Sequence, residues 1–223
     1  MSVARIIDTE TCGMEGGIVE IACVDVRWPQ GEILGQCSDL VKPDRPITFG
    51  AMAVHHITEA MVANQLPLED VIGRYQGPDY FVAHNARFDS GVLPEMGAPW
   101  LCTYKLSVRL WPELESHSNQ FLRYALGLEV EVPEGLYAHR ALYDCYVTAA
   151  LFNRIADESG WTLAEMQAIS ELPVLMRELK FGKHKGKTFA EVAKTDPGWL
   201  RWALANMGDM SEDMRHTINH YLR

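Results

Sequence analysis

The sequence predicts a mixed α/β fold: a five-stranded sheet flanked by helices, followed by a small α+β appendage. Two patterns carry that expectation. Three strand-like segments come early with only short Gly- or Pro-containing turns between them, as antiparallel neighbours do; strand and helix signals then alternate. The near-half apolar composition supplies a sizeable core and argues against disorder.

Residues 4–8 (Ala-Arg-Ile-Ile-Asp) form an apolar, partly β-branched run and predict a buried strand. Residues 18–26 alternate enough for a second, and residues 31–41 make a third; Gly13, Gly16-Gly17 and Pro29-Gln30-Gly31 mark the turns. Thr48 and Thr58 precede helical periodicity at 49–56 and 59–62, and a helix over 68–75 is broken by Gly77-Pro78. A strand at 80–83 leads to a helix at 88–96, and a strand at 100–103 to a helix at 104–111. Ser118 caps a helix through 126, and residues 140–158 have the period of a long amphipathic helix. Leu172-Pro173 reads as a linker, dividing a domain over 1–170 from a module over 174–223. In that module residues 180–189 read as strand, tight turn and strand, with helices at 197–206 and 211–221, where Trp199, Trp202 and Tyr221 are expected to pack the core.

The formal charge is −10, distributed unevenly. Residues 174–223 hold nine Lys and Arg against six Asp and Glu, a local +3, which leaves −13 on the rest. An acidic body with a basic end suits an enzyme that meets a polyanion locally, more so if cations neutralise some of the acids. No run of 18 apolar residues and no basic-then-apolar amino terminus is present, so a membrane span or secretory signal is not expected. Five cysteines (Cys12, Cys23, Cys37, Cys102, Cys145), an odd number without Cys-x-x-Cys spacing, fit reduced thiols in a cytosolic protein.

Three separated patches carry the chemistry. Asp8 and Glu10 stand two apart on the first strand and therefore share a face; Asp89 closes His84-Asn85-Ala86-Arg87-Phe88-Asp89; His139 stands five before Asp144. Carboxylates are the hard oxygen donors that Mg²⁺ and Mn²⁺ prefer, and a histidine adds proton transfer near neutral pH. Each patch alone has a plain structural explanation: a solvated strand end, a helix cap, a loop hydrogen bond. In combination they are hard to ascribe to chance. Gly182-Lys183-His184-Lys185-Gly186-Lys187-Thr188 is not a phosphate-binding loop, since only three residues separate its glycines where four are needed.

Asp8-Thr9-Glu10-Thr11, His84-Asn85-x-x-Phe88-Asp89 and His139-x-x-x-x-Asp144 resemble the three motifs of the DEDD 3′→5′ exonucleases, in their histidine-bearing (DnaQ-like) branch. Arg140 stands where the tyrosine-bearing branch has its tyrosine, and Val54-His55-His56-Ile57-Thr58 resembles a His-Gly-Ile-Thr segment in which His56 replaces Gly. The resemblance spans residues 4–158, and the Phe-Gly-Lys-x-Lys-Gly-Lys tail resembles the carboxy-terminal region of the bacterial exonuclease X family. It implies an RNase H-like fold and a mechanism with two Mg²⁺ ions, Mn²⁺ being a substitute. Asp8 would bridge both ions, Glu10 and Asp144 would complete their shells, and Asp89 would bind directly or through water. His139 would be the general base, and 5′-mononucleotides would leave 3′ ends of DNA, single-stranded or duplex, in repair or recombination in a bacterial cytoplasm. An RNA exonuclease and a polymerase-associated proofreading subunit are the alternatives.

Substrate-binding roles follow for Thr9, Thr11 and Asn85, and for Lys183, Lys185 and Lys187 as a basic hairpin toward duplex phosphates. Met14 either offers an apolar surface to the last base or packs its loop. His55 either contacts sugar or base or holds a loop.

Overall fold

The computed structural model describes residues 1–223. Contacts divide the chain into two compact units, Met1–Leu110 with Ser116–Ser170, and Trp111–Glu115 with Glu171–Arg223. Residues 111–115 thus belong with the second unit, although in sequence they lie inside the first.

In the first unit β1 (Ser2–Thr11), β2 (Ile18–Trp28) and β3 (Glu32–Leu40) come first. There follow α1 (Phe49–His55), α2 (Glu59–Val62), α3 (Leu68–Val71) with a 3-10 turn (Ile72–Tyr75), β4 (Tyr80–Ala83), α4 (Ala86–Val92), β5 (Trp100–Cys102) and α5 (Thr103–Leu110). Helices α6 (Asn119–Ala125), α7 (Ala141–Ser159) and α8 (Leu163–Glu171) complete that part of the chain. The sheet order is β3-β2-β1-β4-β5, antiparallel through β1, β2 and β3 and parallel through β1, β4 and β5. This is the mixed five-stranded sheet expected, with β1 at its centre. The early tight turns can only join antiparallel strands, and β4 needs a helical crossover to return parallel to β1.

The strand period of two sets the site. Ile7 lies in the buried cluster with Ile21, Phe81, Val71, Tyr75 and Leu93, so odd positions of β1 face the α3–α4 side. Even positions, Ile6, Asp8 and Glu10, then face the opposite side, where α7 packs on β1 and β2. Helix α7 sinks Cys145, Leu151, Phe152 and Ile155 almost completely; Cys145 donates to the Ala22 carbonyl at 3.3 Å, and Phe152 meets the Trp28 ring at 5.5 Å. Each large apolar side chain buried this way contributes roughly 1.5–3 kcal/mol. Gly160, at φ +68°, ends the helix.

In the second unit, α9 (Phe189–Thr195), α10 (Pro197–Asn206) and α11 (Glu212–Tyr221) enclose Leu179, Phe189, Val192, Leu200, Ala203, Met214 and Ile218. The strand–turn–strand expected over 180–189 is replaced by a 3-10 turn (Gly182–His184) and a single bridge between Glu178 and Thr188. His184 drops into the interior and bonds Asp196 at 3.0 Å, which removes the alternation a ladder needs. Helices α8 and α9 were not expected; α9 opens on a capping box between Thr188 and Glu191. The helix expected over 88–96 starts and stops earlier, since Pro94 cannot continue it.

His56 caps α1 at φ +60°, with its N–H donating to the Met52 carbonyl at 2.9 Å. A glycine takes this left-handed conformation without the Cβ penalty, which gives a physical reason for the glycine of the related segment. His56→Gly is expected to stabilise the protein by about 1 kcal/mol, read as a higher urea midpoint at unchanged slope.

Candidate active site

Carboxylate oxygens of Asp8, Glu10 and Asp144 lie within 4.8 Å of one another. Asp8 and Glu10 come from the end of the central strand and keep partial exposure; Asp144 comes from the first turn of α7 and is nearly buried. Neither Asp8 nor Glu10 forms an ion pair. Burial, then repulsion from Asp89, Asp144 and Glu10, pushes Asp8 well above the usual carboxylate range. Burial and the Asp144 charge push Glu10 up to about 8. Crowded carboxylates of this kind either hold protons or hold a cation.

Asp144 is the best-supported of the three. Its two oxygens accept from the Gln120 amide at 3.0 Å and from the His139 backbone N–H at 2.9 Å. Burial raises its pKa and those hydrogen bonds oppose the rise. His139 itself is exposed, at φ +64°. A residue five before a helical position cannot stack on it along a helix, but this left-handed turn folds the chain back so that its N–H meets the carboxylate.

Asp89, in α4, stands apart from the trio. One of its oxygens accepts from both the backbone N–H and the hydroxyl of Thr9, at 3.1 and 2.8 Å. Burial still pushes it up to about 7, and its charge acts on Asp8. It therefore belongs to the same electrostatic group while steadying β1.

Two carboxylates face each other across β1 and β2, since Glu10 pairs in register with Glu20. They meet different fates. Glu20, 2% exposed, accepts two bonds from the Arg140 guanidinium at 2.5 and 3.0 Å and one from the Ala141 N–H at 3.0 Å. This clamp ties the start of α7, and with it Asp144, to the sheet. Sequence reasoning passed over Glu20, Arg140 and Gln120. The available signal was an acid inside the apolar strand at 18–26.

Of the residues expected at a substrate, several are turned inward. His55 does not offer a free ring nitrogen: Nδ1 accepts from Ile57 N–H at 2.9 Å, so Nε2 donates to the Thr11 carbonyl at 3.2 Å. Burial also lowers its pKa and keeps it neutral. It is a loop clamp. The Thr9 hydroxyl is spent on Asp89 and that of Thr11 on the Gly13 carbonyl at 2.9 Å, which leaves their backbone as the part near the cluster. Asn85 occupies the left-handed turn before α4 (φ +70°), a conformation asparagine tolerates, and is exposed. Met14 is 90% exposed beyond Gly13. Phe49, not singled out from sequence, is equally open, on a segment held to that loop by the Thr48 N–H donating to the Cys12 carbonyl. In the second unit Lys183 is paired with Asp196 at 2.7 Å, whereas Lys185 and Lys187 are exposed and form no close ion pair.

An all-oxygen trio fits a hard divalent ion. A five-stranded mixed sheet carrying such a trio at the end of its central strand is an arrangement that suits a nuclease. The family model described as Exonuclease matches residues 6–152, and the chain belongs to that family. A second model, Exodeoxyribonuclease X-like C-terminal, matches residues 179–207. Exodeoxyribonuclease 10 of Escherichia coli (strain K12) is 54% identical over 98% of both chains. A DNA polymerase III subunit epsilon-like protein of Rhodobacter capsulatus is 37% identical over 67% of this chain and 23% of its own. Among solved structures, Exonuclease X in complex with 5′ overhanging duplex DNA matches with a TM-score of 0.72 and 56% identity, covering 75% of this chain and 99% of that one. The nuclease domain of 3′hExo shares the fold at 16% identity and a TM-score of 0.58, over 70% of this chain and 92% of that one. The chain is thus an exonuclease of RNase H-like fold.

Unfolded carboxylates titrate near pH 4. With Glu10 held near 8, the folded protein binds more protons across that window, so its metal-free stability falls as pH rises through it. In EDTA the melting temperature is expected to drop between about pH 5 and pH 8. Asp8→Asn is expected to flatten the drop, and Mg²⁺ to reverse it; differential scanning calorimetry checks all three. Glu20→Ala leaves Arg140 without its acid and is expected to cost about 3 kcal/mol by urea unfolding; a loss under about 1 kcal/mol would refute the clamp.

Proposed function

We propose that this chain removes 5′-mononucleotides from the 3′ ends of DNA by divalent-cation-dependent hydrolysis. The observation that carries the reading is the trio of Asp8, Glu10 and Asp144, whose oxygens converge within 4.8 Å. The names of its similar proteins, an exodeoxyribonuclease and an exonuclease bound to DNA, support DNA as the polymer.

The three carboxylates would hold the ions, two Mg²⁺ with Mn²⁺ as a substitute, and Asp89 would assist directly or through water. Bound there, the ions neutralise the phosphate's charge and make water a better nucleophile at neutral pH. The protein's own residues do the rest. His139, exposed on a turn tied to Asp144, takes the proton of the attacking water. A new bond forms from the water oxygen to phosphorus, the bond from phosphorus to the 3′ oxygen breaks, and that oxygen takes a proton from solvent water, while His139 returns its own to solvent. The backbone around Thr9 and Thr11 receives the terminal sugar. Met14 offers an exposed apolar surface to the last base, a contact that tolerates every base.

We assign residues 1–170 to catalysis and residues 174–223 to a module whose exposed lysines, Lys185 and Lys187, meet phosphates. A role in DNA repair or recombination in a bacterial cytoplasm agrees with this chemistry and with five free cysteines.

End-labelled DNA oligonucleotides and matched RNA test the reading. The wild type with Mg²⁺ is expected to shorten DNA from its 3′ end and to favour it over RNA; Asp8→Ala is expected to abolish release while keeping its far-ultraviolet dichroism. His139→Ala is expected to slow release by about 10²- to 10⁴-fold. Undiminished hydrolysis by Asp8→Ala would remove the active-site assignment, and a strong preference for RNA the substrate.

A further inference from the structure

In the second unit an aromatic series runs from the interior to the surface. His184 is buried and meets Trp199 edge-on at 5.1 Å. Trp199, packed against the core, has Trp202 at 6.5 Å and 34° to it. Trp202 is 53% exposed and takes no part in the core cluster. Sequence periodicity had placed it inside; in the structure the core closes without it.

The turn beside this series carries the lysines. At Gly182 a side chain would stand 3.3 Å from the Trp199 ring, and the residue has φ +70°, so only glycine lets the turn lie against α10 in this way. Asp196 fastens it, accepting from Lys183 at 2.7 Å and His184 at 3.0 Å while capping α10 through Trp199 N–H at 3.1 Å. Those two residues hold the turn in place. Lys185 and Lys187, just beyond, are exposed and form no close ion pair, although the Lys187 charge adds to the Thr188 hydrogen bonds in lowering the pKa of Glu191.

We infer that this face, Trp202 with Lys185 and Lys187, is a binding surface for single-stranded DNA, stacking an unpaired base on the indole while the lysines take adjacent phosphates. The inference rests on the reading of the chain as a DNA exonuclease. An exposed ring backed by a second ring offers a flat face to an unpaired base, whereas the bases of a duplex already cover one another. The residues 174–223 carry +3 within a chain of −10, so a polyanion is attracted here and not to the acidic remainder. Holding a strand on the same chain as the hydrolytic site raises its local concentration there.

Fluorescence anisotropy of a labelled oligothymidylate with the full chain in EDTA tests the surface without hydrolysis. Trp202→Ala is expected to weaken binding about tenfold, and Trp202→Phe to keep most of it. Lys185→Ala with Lys187→Ala is expected to weaken binding and lower the slope of log affinity against log salt by about 1.4. Blunt duplex of the same length is expected to bind Trp202→Ala as it binds the wild type. Unchanged oligothymidylate affinity in a Trp202→Ala protein of wild-type melting temperature overturns the inference. So does an equal loss on duplex, or self-association through Trp202 with no effect on DNA. A wild type that binds through Trp202 but digests nothing leaves this surface standing and refutes the exonuclease reading; one that digests DNA while Trp202→Ala binds normally does the reverse.

Discussion

Like charges that cannot separate are the constraint around which this protein is built. Asp8 and Glu10 project from one face of the central strand, and Asp144 enters from α7 to within 4.8 Å of both. No ion pair forms at Asp8 or Glu10, so the fold must hold the acids together against their own repulsion. It does so with the sheet, which fixes two of them covalently along β1, and with the Glu20–Arg140 clamp, which anchors the helix that bears the third. Glu10 and Glu20 show the division most simply. They are partners across the same two strands, yet one is bonded by arginine and helix N–H, and the other forms no ion pair and sits among like charges.

Much of the cluster was legible in the sequence because its signal is local. Two acids at strand spacing after a β-branched run can only share a face, and an acid in an otherwise apolar helix needs a reason. Asp89 was placed in the same neighbourhood, but its bond to Thr9 depends on which face of β1 meets α4, a tertiary fact. Glu20 and Arg140 lie 120 positions apart, and nothing local announces that they meet. His55 stood between two readings for a related reason: a histidine beside a site looks available until the carbonyl and the N–H that occupy its two nitrogens are seen, and these favour the loop-holding one.

The second unit shows where periodicity misleads. Lysines and glycines over 180–189 suggested a hairpin, but a buried His184 and the ion pair of Lys183 with Asp196 bend the segment into a turn instead. The helical spacing of Trp199 and Trp202 suggested a shared core, and the two rings part at the surface. In a module this small the interior has room for only part of the apolar set. The Thr188–Glu191 box, by contrast, was a readable helix start that the hairpin expectation obscured.

Asp144 accepts from the His139 N–H with one oxygen and from the Gln120 amide with the other, while its carboxylate stands in the acidic cluster. An acid used in this way is shared property: whatever draws its electrons toward the cluster also loosens or tightens its hold on the histidine's turn. The exposed histidine's turn therefore moves with the acid, and the position of one fixes the position of the other.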